Sequence, residues 1–163
     1  AWAIEHGITT GTTDATFSPG EPCTRAQIVT FLWRAAGCPV VNYVMPFDDV
    51  DEGGWYAEAV RWAASTGIVN GTGGAAFSPD DVCTRAQAVT ILFRYAISQG
   101  MSAVTLADRL SGFGDAGEVP AYAVSAMQWA IAAGVVQGDG ANLAPGEECT
   151  RAQIVTMLYR HLA

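Results

Sequence analysis

The residues best suited to chemistry form a short stretch that the chain writes three times. Thr24-Arg25-Ala26-Gln27 returns as Thr84-Arg85-Ala86-Gln87 and as Thr150-Arg151-Ala152-Gln153, each preceded by a cysteine (Cys23, Cys83, Cys149), at intervals of 60 and 66 residues. A threonine three positions ahead of a glutamine, at the start of a helical apolar pattern, is a capping box, and this accounts for both residues structurally. It does not account for the arginine. The first helical position lies at the positive end of the helix dipole, where Asp or Glu is favoured and a cation is not. A guanidinium beside the unpaired amides of a helix N-terminus is instead an anion receptor. Arg25, Arg85 and Arg151 are therefore the candidate ligand residues, with Gln27, Gln87 and Gln153 beside them.

The elements that position this stretch repeat with it. After each Thr-x-x-Gln an apolar run closes on an arginine: Ile28 to Arg34, Ala88 to Arg94, Ile154 to Arg160. The first such helix is predicted from Thr24 to Ala36, stopped by Gly37 and Pro39, and the closing arginines suit the C-terminal dipole without needing a ligand role. Ahead of it, a helix from about Trp55 to Thr66 carries Tyr56, Val60, Ala63 and Ala64 at helical spacing. Gly67 followed by Ile68 reads as its left-handed stop with a hydrophobic contact; Gly7-Ile8 and Gly134-Val135 repeat that signal. A glycine-containing turn (Gly11, Gly71, Gly138) leads to Phe17-Ser18-Pro19, Phe77-Ser78-Pro79 and Leu143-Ala144-Pro145, where the large residue plugs the core beneath the loop. The linkers run from Cys38 to Pro46 and from Ile97 to Gly112, the second with an extra helical turn expected at Leu106 to Leu110.

Composition excludes several classes. The net charge is −8 and all eight basic residues are arginine, six of them at equivalent repeat positions. An acidic chain without basic clusters is a poor partner for nucleic acid or anionic lipid. Half of the residues are hydrophobic, yet no apolar run is long enough for a membrane span. The chain opens inside a helical pattern with no leader ahead of it, so the counterpart of Phe47 to Arg61 is expected to be missing from the first repeat. The cysteines lack Cys-x-x-Cys spacing, so free buried thiols are expected rather than a metal site or disulfides. Asp48-Asp49-Val50-Asp51-Glu52 lacks the alternating oxygen ligands of a calcium loop. His6 and His161 are unrelated to the repeat, and no Ser or Cys has a recognisable base partner, so no enzyme, cofactor or metal is expected.

The chain also resembles the S-layer homology (SLH) repeats that anchor bacterial surface proteins to the cell wall. The second repeat carries the whole pattern: Phe47, Asp49, Val50, Trp55, Gly67, Ile68, Gly71, Phe77, Pro79, Thr84, Arg85, Ala86. Glutamine stands where the family usually has glutamate. The resemblance implies an all-α fold of three helix–loop–helix repeats with pseudo-threefold symmetry, a pseudo-trimer within one chain. One domain over 1–163 would contain an incomplete repeat at 1–37 and full ones at 47–97 and 113–163. It implies binding grooves between repeats and an extracellular place at the bacterial surface. The implied ligand is a secondary cell-wall polysaccharide bearing pyruvyl ketals, whose carboxylates suit the arginines. On that reading Asp49 and Asp115 cap a helix or orient a groove arginine. Trp62 and Trp129, with Trp2, serve as core or as a sugar-stacking face. Gly11, Gly71 and Gly138 let backbone approach the sugar. Removing an arginine is expected to spare or slightly raise stability while weakening binding, with the groove of Arg85 the leading candidate. The alternative is a protein–protein lattice module that binds no carbohydrate.

Overall fold

The computed structural model of the chain describes residues 2–13, 15–102 and 107–163. Six α-helices follow in order: α1 (Trp2–Glu5), α2 (Arg25–Ala35), α3 (Ala57–Ser65), α4 (Arg85–Ser98), α5 (Val124–Ala132) and α6 (Arg151–Leu162). Two short 3₁₀ turns, Ala116–Glu118 and Ala121–Ala123, precede α5. Only isolated β-bridges occur among the described residues. The all-α expectation therefore stands. The suggested helical turn from Leu106 falls partly outside the described residues; Asp108 to Ser111 is a turn in which Asp108 Oδ1 accepts the Leu110 and Ser111 amides.

Local sequence explains each helix boundary. Thr24, Thr84 and Thr150 are extended N-caps, and in all three the full capping box is present. Thr24 Oγ1 accepts the Gln27 amide at 3.2 Å while Gln27 Oε1 accepts the Thr24 amide at 3.0 Å, an arrangement worth about 1 kcal/mol per cap. The first helix of each repeat stops at a left-handed glycine, with φ of 67° at Gly7, 76° at Gly67 and 71° at Gly134. Ile68 N then donates to Ala63 O at 2.9 Å, and Ile8 N to Ala3 O at 2.8 Å. Both isoleucines are buried, so backbone and side chain end the helix together.

The repeats are interlocked rather than stacked. The second helix of each packs on the first helix of the next: α2 on α3, α4 on α5, and α6 back on α1. At the centre Cys23 N donates to Cys149 O (2.8 Å), Cys83 N to Cys23 O (3.0 Å) and Cys149 N to Cys83 O (2.8 Å). This closed ring of three bonds marks a pseudo-threefold axis. The residue there must be small, apolar and unbridged, and all three cysteines are free and fully buried. Burial pushes the thiols of Cys23 and Cys83 up to about 12 and that of Cys149 to about 11, because a thiolate there would lose its hydration.

The repeated arginines staple each junction. Arg25 Nε donates to Phe77 O (2.7 Å), Arg85 Nε to Leu143 O (2.9 Å) and Arg151 Nε to Phe17 O (2.9 Å). Each thus reaches from its own helix into the loop of the following repeat, cyclically. The guanidinium carbon of Arg25 also lies 4.9 Å from the centre of the Phe77 ring, and that of Arg151 lies 5.2 Å from the Phe17 ring.

The amides at the helix starts are likewise used. Arg25 N donates to Asp81 O and Ala26 N to Pro79 O; Arg85 and Ala86 bind Glu147 O and Pro145 O; Arg151 and Ala152 bind Glu21 O and Pro19 O. The expectation of unpaired amides in an anion receptor is thereby corrected. With the third amide taken by the cap, the first three N–H groups of each helix are satisfied by protein. The cation at the positive dipole end is tolerated because its Nε bonds a carbonyl in all three repeats, and at Arg25 and Arg151 its face also meets an aromatic ring.

Candidate functional site: grooves between the repeats

What remains of each arginine points outward into a groove, and three such grooves repeat around the axis. The first, of about 330 Å³, is lined by Arg25 from repeat one, Asn70, Gly71, Gln87, Thr90 and Arg94 from repeat two, and Tyr122 from repeat three. The second, of about 320 Å³, joins Arg151 to Thr10, Gly11, Gln27, Thr30 and Arg34, with Trp55 at its side. The third, of about 270 Å³, joins Arg85 to Gln137, Gly138, Gln153, Thr156 and Arg160. Each therefore takes its first arginine from one repeat and its second from the next. Among the described residues, no Asp or Glu lines any of the three.

The polar groups in the grooves are oriented by the fold. Because Gln87 Oε1 is committed to the Thr84 amide at 2.9 Å, the Gln87 Nε2 donors face the groove; Gln27 and Gln153 behave alike. A glutamate there would present a second carboxylate oxygen instead. Thr90 Oγ1 donates to Ala86 O at 2.8 Å, leaving its lone pairs to accept. The second arginines differ. Arg34 Nη1 donates to Ile8 O at 3.3 Å, and Arg160 donates to Val135 O and Gln137 Oε1, also at 3.3 Å. Among the described residues Arg94 has no hydrogen-bonding acceptor, so its guanidinium is the most available.

The grooves are unequal in another way. Trp55 of repeat two and Tyr122 of repeat three, 61% and 56% exposed, each border a groove that the two remaining repeats build. The groove of Arg85 has no such aromatic among its lining residues. Asp139, whose carboxyl is held below its ordinary value mainly by the Ala141 and Asn142 amides, also feels the Arg85 charge. In the Arg25 groove, an Arg94 without an acceptor among the described residues stands with Tyr122 at the edge.

Several sequence expectations change here. Asp49 neither caps a helix nor bonds an arginine: its two oxygens accept the Phe77 and Ser78 amides at 2.7 and 2.8 Å. Asp115 does the same for Leu143 and Ala144. Desolvation raises the Asp49 pKa, but those amide bonds, with a smaller contribution from the Arg25 charge, outweigh it and leave the carboxyl below its ordinary value. Trp62 and Trp129 are 4% and 6% exposed, packed in the core rather than offering ring faces to a sugar. Gly71 and Gly138 do line grooves, but packing already demands them. A Cβ at Gly71 would lie 2.6 Å from Ala76 O and 2.8 Å from Phe47 Cε1, and one at Gly138 would lie 2.9 Å from Phe113 Cε1.

Sequence reasoning missed Arg34, Arg94, Arg160 and the threonines Thr30, Thr90 and Thr156 as groove residues. The dipole explanation of the arginines was sufficient and concealed them. The available signal was their recurrence in every copy, nine residues after the first arginine.

The geometry agrees with comparisons to known proteins. The family model described as S-layer homology domain matches residues 1–29, 46–89 and 112–155. An amylopullulanase of Thermoanaerobacterium thermosulfurigenes is 30% identical over 93% of this chain, which covers 8% of that protein. A surface-layer 125 kDa protein of Lysinibacillus sphaericus is 29% identical over 96% of the chain and 13% of its own length. An endoglucanase of Bacillus sp. (strain KSM-635) is 29% identical over 96% of the chain and 17% of its own length. The chain thus spans less than a fifth of each of these relatives. With three matched segments, three capping-box helices and one arginine staple per junction, the chain belongs to the S-layer homology domain family.

Proposed function

We propose that the chain anchors a bacterial surface protein to the cell wall, without catalysis of its own, by binding secondary cell-wall polysaccharide in the inter-repeat grooves. The domain is 1–163, with repeats at 1–37, 47–97 and 113–163. The observation that carries the reading is the pairing of two arginines from adjacent repeats in each groove, with no lining carboxylate among the described residues, in a chain of net charge −8. Cations collected against the overall charge suit an anionic ligand. A pyruvyl ketal places one carboxylate on a saccharide. In the Arg25 groove the Nη groups of Arg25 and Arg94 can share that carboxylate, Gln87 Nε2 and Asn70 can bond ring hydroxyls, and Tyr122 can pack on a C–H face of the sugar.

The relatives' names support a surface setting, since one is a surface-layer protein, and this module covers only a small part of that protein, of the amylopullulanase and of the endoglucanase. Whatever protein this chain anchors would accordingly lie outside the cell. The test is capture of the purified chain by cell-wall polysaccharide before and after mild acid removal of pyruvate. Retention that falls at least about tenfold with pyruvate loss supports the reading, since a carboxylate–guanidinium bond is worth roughly 1.5–3 kcal/mol. Undiminished retention would reject the ketal as ligand. Capture by acidic surface proteins in its place would favour the lattice module.

A further inference from the structure

The glycine turn at the lip of each groove is built alike, but one copy carries a residue with chemistry of its own. The turn reads Thr10-Gly11 in repeat one, Asn70-Gly71 in repeat two and Gln137-Gly138 in repeat three. Packing fixes the glycine: Gly71 has φ of 83°, and a Cβ there would lie 2.6 Å from Ala76 O. The residue before it is not fixed in that way, since threonine and glutamine serve in the other copies. Only in repeat two does an asparagine carboxamide stand next to the obligatory glycine. The chain's other asparagines, Asn42 and Asn142, precede the bulky Tyr43 and Leu143.

Both reacting groups of that pair are free. Asn70 is exposed, and among the described residues neither its carboxamide nor the Gly71 N–H has a hydrogen-bond partner. In repeat one the equivalent Gly11 amide donates to Thr9 Oγ1 at 3.2 Å; in repeat two Val69 stands in that place and offers no side-chain acceptor. After Asn142 the neighbouring amide is Leu143 N, which Asp115 Oδ1 holds at 2.8 Å. Glycine also brings no side chain to hinder approach of its nitrogen to the asparagine Cγ. Arg25 and Arg94 line the same groove as Asn70. Their positive field favours both a deprotonated amide nitrogen and the oxyanion it forms at Cγ.

We infer that Asn70 is a self-modification site, whose deamidation turns the Arg25 groove from one that accepts an anion into one that carries its own. The Gly71 nitrogen gives up its proton to water and attacks Asn70 Cγ. The N–Cγ bond forms, the Cγ–Nδ2 bond breaks, and the side-chain nitrogen leaves as ammonia with a proton returned by solvent. Water then opens the cyclic imide, at Cγ to give aspartate or at the main-chain carbonyl carbon to give isoaspartate, and a proton is released. Either product sets a carboxylate where a neutral carboxamide stood, in a groove with two guanidinium groups and, among the described residues, no Asp or Glu. That carboxylate takes the donors an anionic ligand would need. The other two grooves, with Thr10 and Gln137 at this place, stay as they are. The effect on binding rests on the groove function proposed above; the conversion does not.

Peptide mapping by mass spectrometry, on the folded chain incubated at mildly alkaline pH, tests the chemistry. Asn70 should convert at least about tenfold faster than Asn42 and Asn142, to both aspartate and isoaspartate. Equal rates at the three asparagines, or no conversion at Asn70, overturn the proposal. The electrostatic half is read without any saccharide. In the variant Asn70→Asp the side-chain N–H signals of Arg94 should move in the NMR spectrum and return as acid protonates the new carboxylate; unmoved signals overturn it. Calorimetry with a pyruvylated polysaccharide fragment then compares fresh and incubated protein. Incubation should weaken the Arg25 groove of the parent about tenfold, while Asn70→Gln should bind after incubation as it did when fresh. Equal losses in both, or no loss in the parent, overturn the proposal. A fresh parent that ignores the fragment rejects the glycan reading instead, and the conversion and the Arg94 signals then decide this inference by themselves.

Discussion

Arg25→Ala tests whether the repeated arginine holds the fold together. In the structure its side chain is 8% exposed, its Nε donates to Phe77 O at 2.7 Å and its guanidinium lies over the Phe77 ring at 4.9 Å. Loss of a charged hydrogen bond to a buried carbonyl costs about 1.5–3 kcal/mol. The cation–π contact adds roughly 0.5–1 kcal/mol at this partial burial. Relief at the positive helix end returns at most about 0.5 kcal/mol. The net destabilisation is thus about 1.5–4 kcal/mol, or a fall of roughly 3–16 °C in Tm for a chain of this length. Thr84→Ala, which removes a cap alone, should cost only about 1 kcal/mol. Urea and thermal melts followed by circular dichroism measure both. An Arg25→Ala protein that melts within 1 °C of its parent would refute the staple and restore the expectation that the arginine is dispensable for folding.

Three further outcomes follow from the same structure. Acid should destabilise the chain in two stages. His161, between the Tyr95 and Trp129 rings, has its pKa lowered by burial, so stability present above about pH 6.5 declines below it as the unfolded chain takes up the proton first. Asp49, also lowered, adds a loss that begins below about pH 4; pH-dependent urea midpoints check this, and His161→Phe should abolish the upper stage only. With a thiol reagent at pH 8, exposed Cys38 should react at once and Cys23, Cys83 and Cys149 only on unfolding; four fast thiols would contradict the buried ring. Finally, Gly67→Ala and Gly71→Ala both force a left-handed alanine, at φ of 76° and 83°, costing about 1–2 kcal/mol. Only Gly71 meets atoms in the way, so its melt should fall further; equal melts would show that the loop yields freely around Phe47.

What the sequence revealed was local. Capping boxes, glycine stops and the plug at Phe77 involve residues within a few positions of one another, and composition fixes them before any tertiary contact forms. What it concealed crosses repeats. Arg25 meets Phe77 across 52 residues and Arg151 meets Phe17 across 134, so the arginine's structural half was invisible and its charge alone was read. Asp49 was read as a helix cap or as orienting a groove arginine because its true partners lie 28 and 29 residues away. The grooves were foreseen as lying between repeats, but the aromatic edge of two of them comes from the repeat that does not supply their arginines, Tyr122 in one and Trp55 in the other, which no pairwise comparison of copies indicates. The tryptophans could not be divided between core and surface until the α4–α5 contact placed Trp129 against Phe93, with ring centroids 5.6 Å apart.

The central claim is that paired guanidinium groups in the grooves hold a carboxylate on a cell-wall glycan. The second arginines test it most cleanly, because Arg94 holds no described protein acceptor and Arg34 and Arg160 make only bonds of 3.3 Å. The combined variant Arg34→Gln, Arg94→Gln, Arg160→Gln should melt within a few degrees of the parent. Titration calorimetry with a purified pyruvylated polysaccharide fragment should then show affinity reduced by about tenfold to a hundredfold, the loss of one charged hydrogen bond per groove. The same fragment stripped of pyruvate should bind parent and variant alike, and weakly. Equal affinity of parent and variant for the pyruvylated fragment would contradict the account.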